Sequence, residues 1–192
     1  MNTDQLLAAK NPGKALVVFI VCMAVLLLSC IAASRTQQGF GRIRVTNVSY
    51  PNTNGIALRA KLLKPANASL DNPVPGVVYI HGYQNNRETG DAYCIEAARR
   101  GIAVLNIDAI GRGNSGLPGD PGAPDFDDTY GGRSSLAYLR TLPFVDGHRT
   151  VMMGHSLGAR MAYEIALTDA AVQRLITSGF PSPLTADRSF PT

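Results

Sequence analysis

The 192-residue chain has 45% hydrophobic and 17% charged residues, which excludes a disordered chain and is sufficient for one folded domain plus an accessory segment. Its formal charge of +4 does not favour nucleic-acid binding, because the basic residues are spread along the sequence rather than gathered on one face. Two of its three cysteines lie in an apolar N-terminal run, so a disulfide framework and a zinc-binding spacing are both excluded. The third, Cys94, is predicted to be a small core residue.

The first predicted element is an apolar helix at residues 15–34. This stretch has no charged residue, and about 20 helical residues at 1.5 Å each match a hydrocarbon core of about 30 Å. We predict a membrane anchor here, with an N-terminal flank at 1–14, a linker at 35–44 and the following domain outside the cytoplasm. Basic residues flank this segment on both sides, so the positive-inside rule does not predict its orientation in the membrane.

Two other interpretations of this segment remain open. It has the composition of a cleaved signal segment, and its residues Leu27-Leu28-Ser29-Cys30 resemble the lipobox of bacterial lipoproteins, in which the cysteine is lipidated. A core helix of a soluble protein is disfavoured, because the segment is apolar on all sides and a domain of this size rarely covers such a helix.

Predicted strands and helices alternate through the remainder of the chain. The β-rich stretches 42–50 and 56–64 flank Asn54-Gly55, a hairpin signal because both residues tolerate positive φ. Continuous apolar runs then predict strands buried on both faces, with helices between them and Gly101 as the cap of the first helix. The predicted strands are 77–80, 102–107, 150–153 and 172–177, and the predicted helices are 90–100, 134–142 and 157–168. Such alternation predicts parallel βαβ units, and therefore an α/β fold with a mostly parallel, doubly wound sheet.

One motif lies where a predicted strand gives way to a helix. Gly154-His155-Ser156-Leu157-Gly158 matches G-x-S-x-G, in which the glycines permit a sharp turn that exposes the serine hydroxyl. A helix beginning at Leu157 adds free N–H groups and the positive end of its dipole, which favour the oxyanion of acyl transfer. The alternative for Ser156 is a simple N-cap serine, which would need neither glycine.

Two further loops follow predicted strands. His81-Gly82-Tyr83 would direct the Tyr83 N–H toward Ser156 as a second oxyanion donor, while His81 and His155 are interpreted as structural. The loop 108–116 is rich in glycine but lacks the spacing of a phosphate-binding fingerprint.

These ordered motifs resemble the α/β-hydrolases over roughly Val45 to Pro183, and most closely the dienelactone-hydrolase, acyl-esterase and prolyl-peptidase-like branches. The resemblance implies a sheet order of 1-2-4-3-5-6-7-8, Ser156 as the nucleophile, and the N–H groups of Leu157 and Tyr83 as the oxyanion hole. It implies no metal or cofactor, and a small ester, amide or peptide substrate cleaved through an acyl-enzyme. Membrane lipid at residues 15–34 is the other expected partner.

The chain departs from the family pattern after Ser156. The family's acid and histidine follow the nucleophile, yet all three histidines here precede it. Asp169 is predicted to be a surface residue, and Asp187 is a candidate acid in a minority arrangement. We therefore expect residues 45–192 to be an incomplete hydrolase domain, truncated after about strand six, with an aggregation-prone edge and no esterase activity above background. The alternative is a non-catalytic binding or interaction protein of the same fold.

Overall fold

A computed structural model describes residues 12–123 and 125–179 of the chain. The chain divides into two compact units, Met1–Phe40 and Gly41–Thr192. We call the second the sheet unit.

The described part of the first unit is mainly one apolar helix, α1 (Pro12–Gln37). It extends beyond the apolar segment 15–34 at both ends, and no part of its 24-residue stretch Gly13–Thr36 is buried. The Ser29 hydroxyl donates to the carbonyl of Val25 at 2.8 Å, so a polar side chain within the helix is satisfied by its own backbone. The helix is long and apolar enough to cross a membrane, a property that signal sequences share.

The sheet unit is built on six strands with the order β1-β2-β4-β3-β5-β6. β1 and β4 both pair with β2 in antiparallel fashion, and the remaining neighbours are parallel, so the predicted order and the mostly parallel sheet are confirmed. The strands are β1 (Ile43–Pro51), β2 (Ala57–Pro65), β3 (Val74–Ile80), β4 (Ala103–Asp108), β5 (Val145–His155) and β6 (Val172–Ser178). The helices are α2 (Asp91–Arg99), α3 (Gly132–Thr141) and α4 (Leu157–Thr168), and a 3-10 turn at Arg87–Gly90 precedes α2.

The β1–β2 hairpin closes differently from the prediction. Gly55 has a φ of +78°, but Asn54 is absent from the described residues with positive φ, so the expected pair of left-handed residues does not form. The Asn52 side chain closes the loop instead, since its Oδ1 accepts the N–H of Asn54 at 3.0 Å and that of Ile56 at 2.8 Å. The Asn52 side chain therefore accepts hydrogen bonds that a backbone carbonyl would accept in a tight turn.

Helices cover both faces of the sheet, and successive residues of a central strand pack alternately into two hydrophobic cores. Val78 and Ile80 of β3 face the core under α3 and α4, whereas Val77 and Tyr79 face the core that contains Cys94 of α2. Burial raises the pKa of the Cys94 thiol, as expected of an inert core cysteine. The continuous apolar runs of the sequence therefore reflect burial on both faces.

β6 is the apolar strand for which the sequence predicts an exposed edge of the sheet. Among the described residues it pairs only with β5 and packs mainly against α4, so it is an edge strand. Ile176 is 48% exposed, and most of the other side chains of β6 are exposed as well. Apolar periodicity reports a preference for strand structure, whereas burial depends on what lies on each side of the strand.

Candidate active site

Ser156 occupies a strained turn between β5 and α4. Its φ of 52° and ψ of −119° are rare for a residue with a side chain and cost about 1–3 kcal/mol. A methyl group on Gly154 would lie 2.2 Å from the carbonyl oxygen of Gly158, and one on Gly158 would lie 2.2 Å from that of Ile80. The Ser156 N–H donates to the Ser178 carbonyl at 2.8 Å, which ties the turn to the end of β6. Both glycines of the motif are therefore required by backbone that approaches too closely for a Cβ.

The loop after β3 lies against this turn. A methyl group on Gly82 would stand 3.3 Å from the Cβ of Ser156, so the two segments are in contact. Tyr83 follows in a turn closed by the Asn85 N–H on the Gly82 carbonyl at 3.2 Å. Within the described residues, neither the Tyr83 N–H nor the Leu157 N–H donates to a protein acceptor. Their role as oxyanion donors stays a prediction, and both are free to take it.

A cavity of about 340 Å³ lies between these loops. Its lining is mainly apolar and has one charged side chain that is exposed to the cavity, that of Arg112. The lining residues are His81, Gly82, Tyr83, Ala109, Ile110, Gly111, Arg112, Leu117, Pro118, Tyr130, Leu157 and Met161. The sequence predicted Tyr83 and Leu157 as site residues but not Arg112, Tyr130 or Met161. Of these three, only Arg112 had a recognisable signal, which is its position in a loop that follows a strand.

Arg112 holds the Tyr83 turn in place. Its Nε donates to the Tyr83 carbonyl at 2.6 Å, and its guanidinium lies 4.8 Å from the centre of the Tyr83 ring. A charge-assisted hydrogen bond and a cation–π contact on the same residue restrain that turn from two sides. The Tyr83 N–H is thereby kept beside the cavity.

His81 is a structural link between two loops. It is 2% exposed, its Nδ1 lies 2.7 Å from the Gly82 carbonyl, and its Nε2 accepts the Ala109 N–H at 3.1 Å. These contacts assign the proton to Nδ1 of a neutral ring. Burial is the main cause that lowers the pKa of His81 below its ordinary value, and the hydrogen bond to Gly82 acts against it.

The other two histidines are also not bonded to Ser156. His155 Nδ1 is 3.4 Å from the Ser178 hydroxyl, so this ring is directed toward the end of β6. His148 lies on β5 seven residues earlier, about 23 Å away along an extended strand. In the part of the chain that the structure describes, no side chain forms a hydrogen bond with the Ser156 hydroxyl.

Asp108 organises the glycine-rich loop after β4. It is 1% exposed, and its carboxylate accepts the N–H groups of Arg87 and Asn114, each at 2.9 Å. The Ser115 hydroxyl donates to the Asp108 carbonyl at 2.7 Å. A methyl group on Gly113, whose φ is +51°, would lie 2.2 Å from the Asp108 carboxyl carbon. Gly113 therefore makes room for a carboxylate of the chain itself.

Asp169 contacts Arg140 and does not lie at the candidate active site. Arg140 donates to its carboxylate at 2.6 Å, and this hydrogen bond is the main cause that lowers the pKa of Asp169. It lies just beyond α4, whose 12 residues place it about 18 Å from Ser156. Its side chain is 28% exposed, so the predicted surface position is only partly open to solvent. Asp187 lies outside the described residues.

Comparison with known proteins defines the class. The sequence profile of the Alpha/beta hydrolase family matches residues 77–191, more than half of the chain. The chain belongs to that family. The match includes the Tyr83 turn, the loop after β4 and the Ser156 turn.

Individual relatives agree with this assignment. A protein of Mycobacterium phage D29 described as a non-heme haloperoxidase is 31% identical over 91 residues, which are 47% of this chain and 30% of that protein. The crystal structure of a hypothetical protein from Pseudomonas aeruginosa has a TM-score of 0.61 and 25% identity, over 71% of this chain and 42% of the other. A bacterial heroin esterase has a TM-score of 0.55 and 23% identity, over 75% and 45% of the two chains, a likeness of fold. The chain therefore spans less than half the length of these relatives.

Proposed function

We propose that this chain carries the nucleophile of a serine hydrolase, which forms an acyl-enzyme at Ser156. The observation that supports it best is the strained backbone of Ser156, with its φ of 52°, held between two glycines that tolerate no side chain. A simple N-cap serine needs no such strain, whereas a nucleophile gains an exposed hydroxyl beside two unpaired N–H groups.

The proposed chemistry uses the residues around the cavity. The Ser156 hydroxyl attacks the carbonyl carbon of an ester, and the N–H groups of Tyr83 and Leu157 stabilise the oxyanion. The leaving alcohol departs and the acyl group remains on the serine until water hydrolyses it. The mainly apolar cavity of about 340 Å³ favours a small ester with an apolar group, although amides and peptides share the same acyl chemistry.

The proton acceptor lies outside the described residues in this proposal. His81 has both ring nitrogens bonded, His148 is distant, and His155 is directed toward Ser178. A serine without a base is a weak nucleophile at neutral pH. We therefore propose that the 192 residues alone hydrolyse esters at the background rate.

A fluorophosphonate probe tests this function. We expect the probe to label Ser156 in any longer product of the same gene that supplies an acid and a histidine. The 192-residue chain should react at least about 100-fold more slowly, because general-base catalysis contributes that much or more. Ser156→Ala should abolish labelling, and Ser134→Ala, which removes a half-buried serine on α3, should leave it unchanged.

A non-catalytic binding protein is the second candidate function. It is favoured by the lack, among the described residues, of any side chain bonded to the Ser156 hydroxyl. Absence of labelling in every form, together with binding of a small apolar ester that is recovered intact, would establish this alternative.

We also propose that α1 anchors the chain in a membrane, with the sheet unit outside the cytoplasm. The apolar length of Gly13–Thr36 supports the anchor, and the cysteine at position 30 supports lipidation as the alternative. The mass of the membrane-bound chain distinguishes the two. We expect it to keep residues 1–29, whereas a chain that begins at a lipidated Cys30, and that Cys30→Ala but not Cys22→Ala leaves uncleaved, would identify a lipoprotein.

A further inference from the structure

A row of polar side chains crosses the α2 face of the sheet, outside the active-site cavity. Strand register places Ser49, Arg59 and Asp108 side by side on β1, β2 and β4. A second set follows two residues along each strand, consisting of Asn47, Lys61 and Asn106. Positions two apart share a face, so this part of the α2 face is polar where the central strands are apolar.

A groove of about 530 Å³ opens on this row. Its lining contains two guanidinium groups and no carboxylate. The lining residues are Asn47, Val48, Ser49, Arg59, Arg87 and Asn114. None of them lines the active-site cavity, so the two sites are separate.

Arg87 is buried at this groove without a hydrogen bond from its guanidinium to any described residue. It is 9% exposed. Its nearest carboxylate contacts are Nη1 to Asp108 Oδ2 at 3.6 Å and Nε to Glu88 Oε1 at 3.7 Å, both longer than a hydrogen bond. None of its guanidinium nitrogens is among the fully buried unpaired atoms of the described residues, so these donors reach solvent at the groove and are open to an acceptor there.

The carboxylates near the groove are already committed to other donors. Asp108 accepts two backbone N–H groups, as described above. Lys61 donates to both Glu88 and Asp91. The side chains of Arg59 and Arg87 therefore retain N–H donors that no described residue accepts. They converge on the groove from β2 and from the turn before α2.

We propose that this groove binds the phosphate group of a small phosphorylated molecule. Two arginine forks, with the polar side chains of Asn47, Ser49 and Asn114, offer donors from four separate segments of the chain. Donors on several sides suit a tetrahedral oxyanion better than a planar carboxylate. The groove is larger than one phosphate, so it has room for the molecule that carries the group. Recognition is by side chains, unlike the backbone cradle of a glycine-rich phosphate loop.

Thermal unfolding with inorganic phosphate tests the proposal. The full chain in detergent micelles is melted by circular dichroism in phosphate and in chloride of equal ionic strength. We expect saturating phosphate to raise the melting temperature by about 2–4 °C relative to chloride. A simple phosphate monoester should act at lower concentration than phosphate, because it also fills the groove.

Two variants with the same charge change locate the effect. Arg59→Gln removes an exposed arginine of the groove and should abolish the shift, whereas Arg44→Gln removes an exposed arginine of the same hairpin and should retain it. Arg87→Lys keeps the charge of the buried group but lacks the fork, and should weaken phosphate binding at least about fivefold. An equal response in chloride and phosphate, or an equal loss of the shift in both glutamine variants, would overturn the proposal.

Discussion

Gly158→Ala is expected to lower the free energy of unfolding of the sheet unit by about 2–4 kcal/mol or to prevent its folding. The added methyl group would lie 2.2 Å from the Ile80 carbonyl oxygen and 2.4 Å from that of His81. Both neighbours are backbone atoms of the central strand and the loop after it, so relief requires α4 to move away from β3. Such a movement would also separate Ser156 from the Tyr83 turn.

Denaturant unfolding followed by circular dichroism measures this effect, since the chain has no tryptophan. Gly147→Ala is the matched control, because its methyl group would meet nothing closer than 3.9 Å. We expect the control to change the free energy of unfolding by less than about 0.5 kcal/mol. Equal stabilities for the two variants would show that α4 does not approach β3 as closely as described.

Asp108→Asn is expected to lower the free energy of unfolding by about 2–4 kcal/mol. The amide keeps the shape of the carboxylate, but its NH₂ group replaces an oxygen that accepts a backbone N–H. One of these two backbone donors is then left without an acceptor, and the buried Arg87 loses its nearest carboxylate at 3.6 Å. The loop after β4 lines both the active-site cavity and the groove at Arg59 and Arg87, and it should become less ordered.

The same unfolding measurement tests Asp108→Asn, with hydrogen exchange of residues 109–116 as a second readout. Asp71→Asn is the control, because Asp71 is exposed. We expect faster exchange in that loop only for Asp108→Asn. A variant at position 108 as stable as the Asp71 control would mean that Asp108 is not needed to hold the loop.

The location of the elements could be predicted from local sequence alone. Apolar runs such as 77–80 and 102–107 are typical of strands buried on both faces; the first lies within β3, and the second lies within β4 except for Ile102. The helix predicted at 157–168 has the observed bounds of α4, because Gly154 and Gly158 mark the turn before it. Gly101 has the left-handed φ of +85° that a helix-capping glycine adopts. The order of strands across the sheet came from the family resemblance, since no local pattern encodes which strands become neighbours.

The sequence by itself determined the strand and helix pattern, the family and the serine motif, because each depends on residues close together in the chain. Only the tertiary structure decided that His81 links two loops, that Arg112 restrains the Tyr83 turn, and that Arg87 is buried without a hydrogen bond from its guanidinium to the described residues. The physical reason is that a side chain's role depends on its partners, and these partners come from segments that only the fold brings together.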